Sequence, residues 1–156
     1  MKIIDQQLLD RLSAEARANP RRRKNFNLHP SDDFCCHRLF NALEPDTYIR
    51  PHRHLDPAKD ETFMIVRGKL GVVMFDSAGV VLGHVLLAPG GEAVAADMPH
   101  GAYHTAISLE PGTVFFEAKA GPYRPLTEDE MAPWAPADGT REAADYLAAL
   151  KNLFVS

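Results

Sequence analysis

The chain has 156 residues, and because domains run to roughly 100 to 200 residues, the length predicts one domain. Hydrophobic residues make up 46% and charged residues 24%, with 12 prolines and 10 glycines, which excludes a collagen, a coiled coil and a wholly disordered chain. The formal net charge of −4 argues against nucleic acid or an anionic membrane as a partner, since both select a basic surface.

The amino-terminal region, residues 1–33, is predicted to be a helix followed by an extended arm. Asp5 is placed to cap the first turn and Pro20 ends the pattern, so the helix is expected over 5–18. Its apolar face recurs at spacings of three and four residues and consists of Leu8, Leu9, Leu12 and Ala16. After a basic run at 21–24, polar and apolar residues alternate with the period of an extended segment.

Residues 34–120 alternate between short β-rich runs and turns, such as the turn at 76–79 and Pro89-Gly90-Gly91. The predicted strands cover 37–43, 47–54, 61–67, 70–75, 80–87, 92–97, 102–109 and 113–119. So many short strands in about 85 residues are typical of a small antiparallel barrel or sandwich.

Residues 121–156 are predicted to form a proline-rich tail and then a helix at about 140–151. No stretch approaches the ~18 apolar residues that a membrane span requires, and polar residues interrupt any signal-peptide core, so we expect a cytoplasmic protein. A disulfide between the neighbouring Cys35 and Cys36 would close a strained ring, so both thiols are expected to be reduced.

Two histidines two residues apart form the most informative motif in the chain. On a strand, His52 and His54 point to one face about 7 Å apart, so their imidazoles can converge. Glu61 opens the next predicted strand, and His104 lies near the start of a later one. Three imidazoles and a carboxylate predict a site for one divalent transition metal, which is Fe, Zn, Mn, Ni or Co. Four protein ligands leave a coordination position open for Lewis-acid chemistry.

The order of these residues resembles the two motifs of the cupin superfamily. The first motif is His52-x-His54, then Glu61, then Gly68, and the second is the Pro-x-Gly-x-x-His pattern at 99–104. The resemblance implies a mainly β fold, a cupin jelly-roll barrel, here with an amino-terminal helix and a carboxy-terminal helical extension. Cupin relatives often pair through barrel strands, so the resemblance also implies a homodimer.

The spacing departs from the cupin pattern at one point. Cupins usually place three or four residues between the second histidine and the glutamate, whereas six residues, 55–60, lie between His54 and Glu61. Asp56 and Asp60 in this longer loop are therefore alternatives to Glu61 as the carboxylate ligand.

Longer strings, at 42–54, 109–117 and 121–123, are similar to the WbuC-type cupin-fold metalloproteins, which are found among bacterial O-antigen polysaccharide genes. The similarity extends from about residue 20 to the terminal helix. It implies a jelly-roll barrel with a bound divalent metal, and it leaves the reaction open.

Strand parity suggests which side chains accompany the metal ligands. If His52 faces the barrel interior, Arg50 and Tyr48 face it too, and an arginine beside a metal suits a substrate carboxylate or phosphate. The alternative is a surface arginine paired with an acid. In the extended arm, the polar face could close one end of the barrel over a ligand, or be a solvated charge run, and its candidates are Arg23, Asn25 and Asn27.

The same parity argument applies to two further strands. From Glu61 onward it predicts that Phe63, Ile65 and Arg67 point inward. In the last predicted strand, either Glu117 and Lys119 or Phe116 and Ala118 face the interior, and alternation alone leaves both open.

These features predict a metal-dependent enzyme that acts on a small polar molecule, such as a sugar or nucleotide sugar of surface polysaccharide synthesis. The metal would polarise a carbonyl in an isomerase or epimerase, or bind dioxygen in an iron-dependent dioxygenase. The alternative from another class is a non-catalytic module that binds a metal or a small ligand.

Overall fold

Two antiparallel β-sheets dominate the computed structural model, which describes residues 1–155. In chain order the elements are α1 (Gln6–Ala18), β1 (Arg23–Asn27), β2 (Cys36–Leu43), β3 (Glu61–Arg67), β4 (Leu70–Phe75), β5 (Val81–Leu87), β6 (Ala95–Met98), β7 (Tyr103–Ser108), β8 (Thr113–Ala120), α2 (Arg141–Lys151) and a 3-10 turn (Asn152–Phe154). One sheet has the strand order β1-β2-β8-β3-β6 and the other has the order β5-β4-β7.

The two sheets face each other across an apolar core. Alternate residues of β3, β4 and β8 point into it, among them Phe63, Val72 and Phe115, all of which are buried. This arrangement confirms the predicted mainly β fold, a cupin jelly-roll barrel with a helix at its amino end and a helical extension at its carboxy end.

Each helix covers the outer face of one sheet. Helix α1 begins where predicted, because the Asp5 side chain accepts a hydrogen bond from the backbone N–H of Leu8 at 2.9 Å. Its apolar face packs against Phe40 and Val114 on the outside of the larger sheet. The carboxy-terminal tail and α2 cover the outer face of the smaller sheet through Leu147, Leu150, Ala132 and Ala135.

The predicted strand at 47–54 is wrong. The segment is extended, but its β-bridges are isolated, one from His52 to His104 of β7 and one from His52 to Met131 of the carboxy-terminal tail. Pro51 has no backbone N–H, so on the side that faces the tail it accepts a hydrogen bond from Ala132 N–H at 3.0 Å but donates none in return. The inside–outside alternation expected for 47–54 therefore does not hold throughout.

The inward orientation predicted for Arg67, at the end of β3, is wrong because the strand contains a β-bulge. The pairing of β3 with β8 shifts between Ile65 and Arg67, so the alternation breaks there. Ile65 points into the core as predicted, but Arg67 points outward and donates a hydrogen bond to Asp10 of α1 at 2.8 Å.

Two glycines of the cupin-like motifs sit at turns that require them. Gly68, between β3 and β4, has φ of 75°, and Gly101, before β7, has φ of 78°. Both values lie in the left-handed region, where a side chain is strained. A Cβ at Gly68 would also lie 2.5 Å from the Thr113 hydroxyl.

Both cysteines, Cys35 and Cys36, are unpaired and exposed. Among residues 1–155, none of the helices has the length and apolar character that crossing a membrane demands.

Candidate metal centre

Four side chains from different parts of the chain meet at one end of the barrel. His52 and His54 come from the extended segment, Glu61 opens β3 and His104 lies on β7. The backbone holds two of them together, because His52 N–H donates to the His104 carbonyl at 3.1 Å and His104 N–H donates to the His52 carbonyl at 2.9 Å. One ligand atom from each of the four side chains lies within 4.8 Å of the others.

Three of the four side chains in the cluster are buried, and His52 is half-buried. Glu61 and His104 are each 2% exposed and His54 is 7% exposed. Glu61 Oε2 lies 2.8 Å from His104 Nε2 and 3.4 Å from His54 Nε2. The carboxylate therefore stands among the imidazole nitrogens.

Backbone carbonyls orient two of the imidazoles. The Nδ1 atom of His52 lies 3.0 Å from the Arg50 carbonyl, and the Nδ1 atom of His104 lies 2.9 Å from the Ala102 carbonyl. A carbonyl only accepts, so Nδ1 carries a proton in both rings, and neutral His52 presents its Nε2 lone pair to the cluster. His104 does the same once Nε2 gives up the proton that it donates to Glu61. Such contacts fix the tautomer that a metal ligand needs.

The residues fit a bound divalent metal. His54 Nε2 is buried and has no hydrogen-bond partner among residues 1–155, and its approach to Glu61 is not a hydrogen bond. A buried nitrogen without a partner is costly, and a cation between the four side chains would satisfy it. Imidazole and carboxylate donors together suit Fe, Zn, Mn, Ni or Co.

Charges around the cluster favour the metal-binding protonation states of His52 and Glu61 but hold a proton on His104. Burial, reinforced by His104, lowers the pKa of His52 to about 4, so this ring is neutral at pH 7. Burial would raise the pKa of Glu61, but the Lys119 ammonium and the neighbouring histidines outweigh it and hold that pKa well below its usual range. Burial would likewise lower the pKa of His104, yet its hydrogen bond with Glu61 raises it.

The carboxylate in the cluster is Glu61, and its two alternatives lie elsewhere. Asp60 is exposed and accepts a hydrogen bond from the backbone N–H of His100 at 2.8 Å. Asp56 is also exposed and accepts from the backbone N–H of Ala58 at 3.0 Å. The six-residue loop is therefore a surface excursion that returns the chain to Glu61 at the start of β3.

A second layer of polar groups supports the carboxylate. Lys119, opposite Glu61 in the ladder, donates to Glu61 Oε1 at 2.7 Å and to Glu117 Oε1 at 2.7 Å. Asn41 donates to the other oxygen of Glu117 at 2.6 Å. Of the two orientations left open for β8, Glu117 and Lys119 face the interior, while Phe116 packs under α1. The contribution of Asn41 had no sequence signal, because it depends on the register of β2 against β8.

Two connected cavities open onto the cluster. The inner cavity, about 610 Å³, lies between the sheets, and its walls include His104, Glu61, Glu117 and Phe63. The outer cavity, about 380 Å³, lies under the proline-rich tail, and its walls include His52 and His54. His52 and Lys119 border both cavities. A small molecule entering either cavity would lie beside the candidate metal ligands.

Three of the predicted ligand-contact residues line a cavity, and Asn27 does not. Arg23 borders both cavities, Asn25 borders the inner one and Arg50 borders the outer one. Asn27 is exposed on the same strand as Asn25, accepts a hydrogen bond from it at 3.1 Å and does not line either cavity.

The inward orientation predicted for Tyr48 is wrong. Its ring packs with Tyr146 in the cluster outside the smaller sheet, and its hydroxyl donates to the Pro136 carbonyl at 3.0 Å. Ile49 packs against the barrel core in its place and lines the cavities. Strand alternation mispredicts the orientation of Tyr48 because 47–54 is not a regular strand.

Several solved structures share this fold. The protein TT1209 from Thermus thermophilus is 25% identical, with 77% of this chain and 97% of that chain covered and a TM-score of 0.53. KdgF from a Halomonas species is 20% identical, with 68% and 84% covered and a TM-score of 0.52. SPY1581 from Streptococcus pyogenes, described as a conserved protein of unknown function, is 13% identical, with 79% and 90% covered and a TM-score of 0.52.

The sequence comparisons identify the family. No curated protein matches the chain. A family described as a domain of unknown function, DUF6016, matches residues 4–87, which include β3 and three of the four clustered side chains. Because that match spans more than half of the sequence, the chain belongs to the DUF6016 family.

Proposed function

We propose that this protein is a metal-binding cupin that acts as a metal-dependent enzyme on a small polar substrate. His52, His54, Glu61 and His104 would hold one divalent transition metal. The observation that carries the proposal is the meeting of these four ligand atoms, within 4.8 Å of one another, where the two cavities join. The resemblance to WbuC-type proteins favours a sugar or nucleotide sugar of surface polysaccharide synthesis as the substrate.

The cavities favour an enzyme over a purely structural metal site. A structural metal is usually enclosed by protein ligands, whereas a catalytic one keeps a position open toward substrate. Here His52 borders both cavities, so a substrate oxygen can approach the cluster from either side. A divalent metal held there would act as a Lewis acid on that oxygen.

The protein's own side chains would position both the ligands and the substrate. Lys119 binds Glu61 through Oε1 and leaves Oε2 for the cluster. Phe63 and Phe115, whose ring centroids are 4.8 Å apart, line the inner cavity with apolar surface and exclude water from one side of the site. This surface strengthens electrostatic interactions inside the cavity.

The test is the metal content of the purified protein after expression without nickel resin. We expect about one equivalent of a transition metal in the wild type and less than ~0.2 equivalents in His52→Ala and His104→Ala. The matched control is His84→Ala, because His84 is an exposed histidine on β5, away from the cluster. Metal content that His52→Ala leaves unchanged would contradict the assignment.

The second part of the test measures whether the protein converts a substrate. Metal-loaded wild type, incubated with a panel of nucleotide sugars and followed by NMR, should convert at least one of them. His104→Ala should not convert it, and His84→Ala should. A metal-loaded wild type that binds sugars without converting any would favour the non-catalytic module.

A further inference from the structure

The outer cavity is strongly cationic. Only one carboxylate, that of the exposed Asp138, lies among the residues that line it. Its basic lining residues are Arg21, Arg23, Arg50, Lys59, Lys119 and Arg124. Lys119 is already paired with Glu61 and Glu117. The positive charges without a carboxylate partner are therefore found among the other basic side chains.

Within residues 1–155, the Arg50 guanidinium is held by one hydrogen bond, and its Nε atom donates none. Its Nη2 donates to the Ala132 carbonyl at 2.7 Å, which fixes the guanidinium against the tail. Its Nε is buried and has no hydrogen-bond partner in the part of the chain that the structure describes. A guanidinium presents its donors as a rigid fork, so the part of this side chain that lines the outer cavity suits an oxyanion.

Lys59 and Arg23 are similar in being partnered only by backbone carbonyls. Lys59 is 9% exposed, and its ammonium donates to the Pro122 carbonyl at 3.1 Å. Arg23 Nη1 donates to the Tyr48 carbonyl at 2.7 Å, and burial lowers the pKa of this guanidinium. Across residues 1–155, neither cation forms an ion pair with a carboxylate, and neither does Arg50.

Lys59 is nearly withdrawn from water, Arg23 and Arg50 are half-buried, and none of the three forms an ion pair among the described residues, so their charges are incompletely compensated in the folded protein. An anion bound between them would complete that compensation. His52 and His54 line the same cavity, so such an anion would lie beside the candidate metal ligands.

We propose that the outer cavity binds a phosphoryl group of the substrate, held by Arg50, Lys59 and Arg23. This inference deepens the proposed function, on which it rests for the identification of the substrate site. A phosphoryl group suits the cavity better than a carboxylate, because it brings up to two negative charges and three acceptor oxygens to three cationic side chains.

The experiment measures binding of inorganic phosphate and diphosphate to the full chain, stripped of metal and then freed of chelator, by isothermal titration calorimetry at low salt. Acetate and malonate are the carboxylate probes. We expect Arg50→Met and Lys59→Met each to weaken phosphate binding by about tenfold or more, since each removes a charged hydrogen bond. The matched control, Arg141→Met, removes a cation that is 91% exposed on α2 and should leave binding unchanged.

Wild type that fails to bind either phosphate probe overturns the inference, and so does wild type that binds malonate or acetate at least as tightly as phosphate. Equal weakening in Arg141→Met also overturns it, because the effect would then be one of overall charge. If Arg50→Met does not fold, Arg50→Lys keeps the charge, loses the fork and should weaken binding by a smaller factor.

The metal content of the variants distinguishes a failure of the phosphate-binding inference from a failure of the proposed function. Phosphate is measured without metal, so His52→Ala should still bind it. Lys59→Met should lose phosphate binding but keep the metal content of the wild type.

Discussion

Replacing Lys119 with methionine removes the cation that lies between two buried carboxylates. The ammonium lies 2.7 Å from Glu61 Oε1 and 2.7 Å from Glu117 Oε1, and the lysine side chain is only 20% exposed. The two carboxylates are 3% and 10% exposed, so water does little to screen them. Methionine has a similar volume, which leaves the lost charge as the main change.

The cost follows from leaving buried charge without a partner. Removing one member of a buried ion pair costs about 3–5 kcal/mol of stability. The loss expected for metal-free Lys119→Met at pH 7 is therefore about 3–5 kcal/mol, with Asn41 still holding Glu117. A bound divalent cation would compensate Glu61 and make the loss smaller in the metal-loaded protein.

The pH dependence has a definite sign. Lys119 holds the pKa of Glu61 well below its unfolded value of 4.5, so the stability from this pair is present above that value and is lost as the pH falls. Burial, together with the charge of Glu61, raises the pKa of Glu117 to about 7 even with Lys119 present. The penalty of the substitution should shrink toward about pH 5, where the carboxyls of the variant become protonated.

The assay is urea unfolding of the metal-free protein at pH 7 and pH 5, with Lys69→Met as the matched control. Lys69 pairs with Glu110 at 2.6 Å, but the two side chains are 49% and 43% exposed, and such a pair contributes about 1 kcal/mol or less. If Lys119→Met costs no more than Lys69→Met at pH 7, the Lys119 contacts do not stabilise the site and the reasoning is refuted.

Three further predictions concern the site. Glu61→Gln should lose most of the bound metal and Asp60→Asn should retain it, as measured by metal analysis; the opposite result would transfer the ligand role to the loop. Apparent zinc affinity, measured by chelator competition, should fall by about tenfold for each pH unit below the raised pKa of His104, because the proton that Glu61 stabilises on His104 must leave before metal binds, so the fall should begin above the ordinary histidine value of about 6.5; a flat profile would contradict this. Tyr48→Phe should lower stability by about 1 kcal/mol through the lost bond to Pro136 without changing metal content, whereas loss of metal would return Tyr48 to the site.

Local patterns were sufficient for the features that depend on local physics. The helix cap at Asp5, the alternation of β3 up to Ile65 and the turns at 76–79 and Pro89-Gly90-Gly91 each follow from neighbouring residues. The meeting of His52 with His104 is long-range, and only the resemblance to the cupin motifs anticipated it.

The remaining features depend on register and on tertiary contacts. Tyr48 was misplaced because its segment alternates like a strand in sequence but, among the residues that the structure describes, pairs only through isolated bridges at His52. Arg67 was misplaced because a bulge carries no distinct sequence signal. Lys59 was missed because a lone lysine in a polar loop looks solvent-exposed, and only the packing of the loop against Pro122 buries it.

The most direct test of the central claim is a crystal structure with anomalous scattering collected at the absorption edges of iron, zinc, manganese, nickel and cobalt. We expect one ion bound by Nε2 of His52, His54 and His104 and by an oxygen of Glu61, at distances of about 2.0–2.2 Å. An anomalous peak elsewhere, or His104 turned away from a bound ion, would contradict the claim.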